Sequence, residues 1–159
     1  MTQDDGPAGG MTWPPDGDDG LGDPEGTAYD WYRRAVTLLD GGNPDAAAVL
    51  LARLREVDPT STAVLETHAR ALFDSRRYQD AADAFAELVE RSPAEDYAHY
   101  GLGVSLWRLQ RFPLARDHLA MATVMRPERA EYARALAQVR STLKARAEAG
   151  LPLEGPVAP

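Results

Sequence analysis

The chain has 159 residues, 44% of them apolar, enough for one domain with a real core plus terminal segments. No apolar run approaches the length that spans a bilayer, and the absence of cysteine excludes disulfides and thiolate metal sites. The net charge of −8 sits almost wholly in residues 1–26, which hold seven acidic residues and no basic one, so the near-neutral body offers no concentrated basic face for nucleic acid.

The opening segment, MTQDDGPAGGMTWPPDGDDGLGDPEG, is rich in Gly, Pro and Asp. Its only bulky residues are Met11, Trp13 and Leu21. It cannot bury enough apolar area to offset chain entropy, so residues 1–26 are expected to be disordered. It has neither the basic start nor the apolar stretch of a signal peptide, and the first basic residue is Arg33. Arg supplies 16 of the 17 basic residues, with Lys144 the exception, which resembles a GC-rich bacterial coding bias and is read as carrying no chemistry.

From Thr27 to about Arg146 apolar residues recur at three and four, which predicts helices throughout and no strand. The first helical pair breaks at GGNPD: Gly41 and Gly42 end one helix, Asn43 caps the next and Pro44 suits its first turn. Pro59, Pro93 and Pro127 then fall 34 residues apart, each closing an apolar-periodic run, because proline cannot continue a helix. Counting back from each proline, the same size class returns: Ala47, Ala81 and Ala115; Leu51, Phe85 and Leu119; Leu38, Leu72 and Leu106; Ala35, Ala69 and Gly103. The small residues mark close helix crossings and the large ones fill the space between pairs. After Pro127, RAEYARALAQVRSTLKAR carries Tyr132, Leu136, Val139 and Leu143 on one side, as a polar-backed cap to a stack requires. LPLEGPVAP closes the chain as a second loose tail.

A 34-residue period with these residues resembles the tetratricopeptide repeat family: Trp31, Ala35 and Leu38 in the first copy, Tyr78, Ala81 and Phe85 in the second, and a proline closing each. The resemblance covers about 28–127. It implies an all-α, right-handed superhelical solenoid of three helix pairs, at about 28–61, 62–95 and 96–129, with a capping helix over 129–146. Residues 27–146 then form the domain and 147–159 a flexible tail. The departures are mild: Leu65 and His99 stand where the family favours tryptophan, and Pro44 stands where it favours an aromatic.

In that family the first helix of each pair lines a concave face. The residues at those registers include Tyr32 and Val36; Glu66, Arg70 and Phe73; Tyr97, Tyr100, Val104, Trp107 and Arg108; and, on the cap, Arg134 and Gln138. Leu39 shares the register, and Tyr29 is expected to pack against neighbouring helices, as Phe73 does in part. Tyr, Trp and Arg are enriched in binding hot spots, so these twelve residues are the candidate partner-binding groove. Members that clamp the carboxylates of chaperone tails hold Lys and Asn on these helices. Here Tyr32, Val36, Glu66, Arg70, Tyr100 and Val104 occupy those registers, and only Arg70 suits a carboxylate.

No catalytic constellation is visible. His68, His99 and His118 lack metal-ligand spacing, and the glycines of GLG at 101–103 lie inside a helix and serve close packing. The stretch FPLARDHLAMATVMRP, with its Asp-His pair and two methionines, falls on the second helix of a repeat, where His118 is scaffold. No enzyme activity, cofactor or metal is expected. The reading is a cytoplasmic, non-enzymatic adaptor, monomeric or weakly homo-oligomeric, that binds a peptide or helix of another protein, with no nucleic-acid partner and no membrane insertion. Its rival is an assembly subunit that self-associates. The acidic opening segment is either a solubilising tail or a ligand of the Arg-bearing groove.

Overall fold

The computed structural model describes residues 26–158. The expectation of disorder over 1–26 therefore lies, but for Gly26, outside the described residues. Among those described are seven helices and no strand: α1 (Ala28–Asp40), α2 (Pro44–Val57), α3 (Thr62–Asp74), α4 (Tyr78–Arg91), α5 (Asp96–Arg108), α6 (Phe112–Met125) and α7 (Ala130–Glu148). They form a helical repeat solenoid of three antiparallel pairs and a cap.

Local chemistry sets the boundaries. Thr27 opens α1 with a capping box: its Oγ1 accepts from the Asp30 N–H, and Asp30 Oδ2 accepts from the Thr27 N–H at 3.0 Å. Asn43 Oδ1 accepts from the Ala46 N–H at the head of α2, where Pro44 fills the first helical position. Each pair turns through one left-handed residue at the same register, Gly42 (φ 82°), Arg76 (φ 61°) and Gln110 (φ 60°). There the N–H groups of Asn43, Arg77 and Arg111 reach back to the carbonyls of Leu38, Leu72 and Leu106. Glycine takes that conformation freely, and Arg76 and Gln110 do not. Each pair closes on Asp58, Ser92 or Arg126, all outside the helical region (ψ 73° to 79°), which the following proline excludes.

The repeat positions pack as the spacing predicts. Ala35, Ala69, Ala47, Ala81 and Ala115 are fully buried, and Leu51, Phe85 and Leu119 are buried between pairs. Gly103 is buried where an added Cβ would fall 2.6 Å from Leu119 Cγ. Three details differ. Leu39, placed on the groove, is buried, while Leu38 is half-buried, since α1 has no preceding helix pair among the described residues to cover the Leu38 side. Tyr29 does not pack: it is 67% exposed, with the Arg33 guanidinium 6.0 Å from its ring. Residues 151–158 fold back on the α5–α6 turn. There the Gly155 N–H donates to Gln110 O at 3.0 Å, Arg146 Nη1 donates to the Pro152 and Gly155 carbonyls, and the Arg146 guanidinium lies 4.7 Å over Phe112.

Candidate functional site

Helices α1, α3, α5 and α7 each touch the next of their own set, whereas α2, α4 and α6 touch only their chain neighbours. The first set therefore lies on the inside of the curve. Between α3, α5 and α7 this face deepens into a cavity of about 600 Å³. Nine of the sequence candidates line it: Arg70, Phe73, Tyr97, Tyr100, Val104, Trp107, Arg108, Arg134 and Gln138. Tyr32, Val36 and Glu66 stand outside it. The Tyr32 hydroxyl is engaged with Thr67 Oγ1 at 3.1 Å, and Glu66 is half-buried with its carboxyl pKa raised by burial and by the nearby charges of Glu95 and Asp96.

The floor is built from residues read in sequence as core: Phe85, Leu119 and Val139. Gly101 is the opening through which Phe85 reaches the cavity, because an added Cβ there would sit 2.3 Å from the ring. Asp74 and Glu131 complete the rim. Sequence spacing puts these two at groove registers, but nothing in the sequence marks Gly101 as the seat of an aromatic ring.

The lining is aromatic and rigid. The Phe85 and Tyr97 rings meet edge-on at 6.0 Å, Tyr97 and Tyr100 are 6.4 Å apart, and Tyr100 stacks on Tyr132 at 4.6 Å. Tyr132 is itself fully buried and anchored, its hydroxyl donating to Asp96 Oδ2 at 2.7 Å. Burial raises the pKa of the Tyr97 and Tyr100 hydroxyls, which keeps them as neutral donors.

Charge is spent unevenly. Arg70 is paired with Asp40 at 3.2 Å and Asp74 at 3.8 Å. Arg108 has no carboxylate partner among the described residues; its guanidinium lies 5.2 Å over the Trp107 ring and 5.7 Å over that of Tyr78. Arg134 makes no ion pair among them. The Trp107 indole Nε1–H is shielded from solvent and has no acceptor among the described residues. The guanidinium groups of Arg108 and Arg134 on the lining suit a carboxylate. An apolar side chain suits the floor.

The histidines lie elsewhere. His99 Nε2–H donates to Pro93 O at 2.9 Å, and its Nδ1 meets His118 Nδ1 at 3.2 Å with the rings stacked. His118 thus packs in the scaffold, against a partner that sequence spacing does not reveal. Among the described residues no group of three His, Asp or Glu could hold a metal ion, and no helix is long and apolar enough to cross a membrane.

Known proteins share this architecture. The first tetratricopeptide domain of Spaghetti (RPAP3) bound to the HSP90 peptide SRMEEVD superposes with a TM-score of 0.70 at 17% identity, over 74% of this chain and 93% of that one. MamA from Desulfovibrio magneticus RS-1, from its residue 41 onward, gives 0.71 at 17% identity over 77% and 70%. The tetratricopeptide domain of Arabidopsis OM64 gives 0.68 at 14% over 72% and 94%. At these identities the likeness shows the fold alone. No curated protein sequence matches the chain. Family models described as tetratricopeptide repeat match residues 31–61 and 66–130, together more than half of the 159 residues. With the 34-residue register, the paired helices and these matches in agreement, the chain belongs to the tetratricopeptide repeat family.

Proposed function

We propose that this protein is a non-enzymatic interaction module whose concave groove takes a peptide or helical segment of another protein, in a cytoplasmic setting. The observation that carries this reading is the cavity between α3, α5 and α7, with an aromatic lining over an apolar floor and two guanidinium groups, those of Arg108 and Arg134, that have no carboxylate partner among the described residues. Its volume of about 600 Å³ lies within the usual range of ligand pockets. Its composition is that of a hot spot. The HSP90 peptide held by RPAP3 ends in EEVD, but of the clamp registers here, Tyr32, Val36, Glu66, Arg70, Tyr100 and Val104, only Arg70 suits a carboxylate, and it is already paired with Asp40 and Asp74. The reading is therefore an apolar anchor flanked by acidic residues rather than a bare chain end.

Selection from a displayed peptide library tests it. The full chain should enrich peptides that pair an apolar side chain with a carboxylate. The variant Trp107→Ala with Arg134→Ala should not, although its helix content is unchanged. Tyr100 is left intact because it stacks on Tyr132. Equal enrichment by both proteins would overturn the reading.

Self-association is a second reading with its own observation. On the outer face of α6, Leu114, Met121 and Val124 are 42%, 47% and 76% exposed. One repeat earlier the same registers carry Asp80, Glu87 and Glu90. Light scattering across concentration tests this reading. A mass that rises with concentration in the native chain and not in Met121→Glu with Val124→Glu supports it, and a constant monomer mass refutes it.

A further inference from the structure

The groove carries an imbalance that its own chain can correct. Among the described residues Arg108 and Arg134, both on the cavity lining, have no carboxylate partner, whereas Arg70 is already neutralised by Asp40 and Asp74. Residues 1–25 hold the complement: seven carboxylates, no Lys or Arg, and Trp13, their only aromatic residue, in MTWPPDGDDG.

Reach permits the meeting. Trp13 is 13 residues before Gly26, which is about 43 Å of extended chain. Adjacent packed helices lie about 10 Å apart, so crossing from α1 past α3 to α5 takes about 20 Å, and the 13-residue α5 is itself about 20 Å long. Pro14 and Pro15 favour an extended conformer, which loses less entropy on docking than a free chain.

We propose that residues 1–25 occupy the groove of their own molecule, Trp13 entering the aromatic cavity and the Asp16–Asp19 cluster meeting Arg108 and Arg134. This rests on the groove reading above and names the competitor that any partner must displace. A tethered segment acts at an effective concentration set by its linker, so modest contact suffices to compete. An external ligand then binds when it outmatches the tail, or when the tail is cut or drawn away. High salt releases the tail, because exposed charge pairs are screened.

Paramagnetic labelling of the full chain tests this directly. The protein has no cysteine, so Ala8→Cys carries a single nitroxide. Amide signals of Tyr100, Trp107 and Gln138 should lose intensity in the oxidised label relative to the reduced one, while Val124 on the outer face of α6 keeps its own. The loss should fade in high salt, in the Arg108→Ala, Arg134→Ala variant, and in the Trp13→Ala variant. Broadening confined to the start of α1 overturns the proposal. So does broadening of unlabelled ¹⁵N protein mixed with labelled protein, which assigns the contact to a second copy. The groove reading survives either result, because it is judged separately by peptide selection. If the tail broadens the groove while no peptide is selected, the selection is repeated with Trp13→Ala present. Recovery of enriched peptides there upholds tail occupancy, and continued failure leaves the tail as the groove's ligand and overturns the reading of an external partner.

Discussion

Gly101 offers the sharpest test of the packing that shapes the groove. An alanine Cβ there would lie 2.3 Å, 2.4 Å and 2.6 Å from Cε1, Cζ and Cδ1 of Phe85. The ring is 2% exposed and held edge-on to Tyr97, so it can give way only toward the cavity that it lines. Two effects of Gly101→Ala oppose one another. Helix propensity favours alanine by about 1 kcal/mol, and overpacking of a rigid core costs about 1–3 kcal/mol. Contacts this short put the overpacking at the upper end, so the net loss is about 1–2 kcal/mol, or a fall in Tm of about 3–10 °C for a domain of this size. Thermal and urea unfolding followed by circular dichroism measure it. Phe85→Leu in the same chain should relieve the clash, so the double variant should lose less than the sum of the singles. A Gly101→Ala protein that melts higher than the native one, as propensity alone dictates, would refute the close approach.

Gly103→Leu at the equivalent crossing should cost about 1–3 kcal/mol, since even a Cβ meets Leu119 Cγ at 2.6 Å; an unchanged melting midpoint contradicts the register. Arg76→Gly, at a left-handed turn where the first repeat has Gly42, should stabilise by about 0.5–1 kcal/mol in urea unfolding, and a loss would show that the Arg76 side chain contributes more than the backbone strain. Tyr132→Phe removes the bond to Asp96 Oδ2 and should cost about 1–3 kcal/mol by the same measurement, with no cost refuting the anchor. Burial, then the charges of Arg55 and Arg77, depress the His68 pKa to about 4 from an ordinary 6.5. The unfolded chain therefore takes up this proton first, so the contribution is complete above pH 6.5 and is lost as the pH falls to about 4. His68→Gln should flatten the native stability profile across that window by about 1–3 kcal/mol, and parallel profiles would refute the shift.

What could be read in the sequence follows from what repeats. The three prolines, the alanines at the crossings and the large residues between pairs recur at one register, so they mark seven helices and most of the core without any tertiary information. The groove was legible where the inside register alone decides exposure, as at Tyr97, Trp107 and Arg134. It was not legible where neighbours decide. Leu39 sits at an inside register yet is buried, and Tyr29 lies open because no described residue covers the outer side of α1. The floor required knowing that Phe85 of α4 passes through the gap left by Gly101 of α5. The return of residues 151–158 depends on Arg146 and Gln110, 36 residues apart in sequence, and a short Pro-rich stretch carries no sign of it.

The central claim is that recognition takes place on the concave face. The measurement that bears on it most directly is amide chemical-shift mapping of the full ¹⁵N-labelled chain during titration with a peptide enriched by the native protein. The account predicts saturable shifts at Tyr97, Tyr100, Trp107, Arg134 and Gln138. Shifts that gather instead on the outer face of α6, at Leu114, Met121 and Val124, would contradict it.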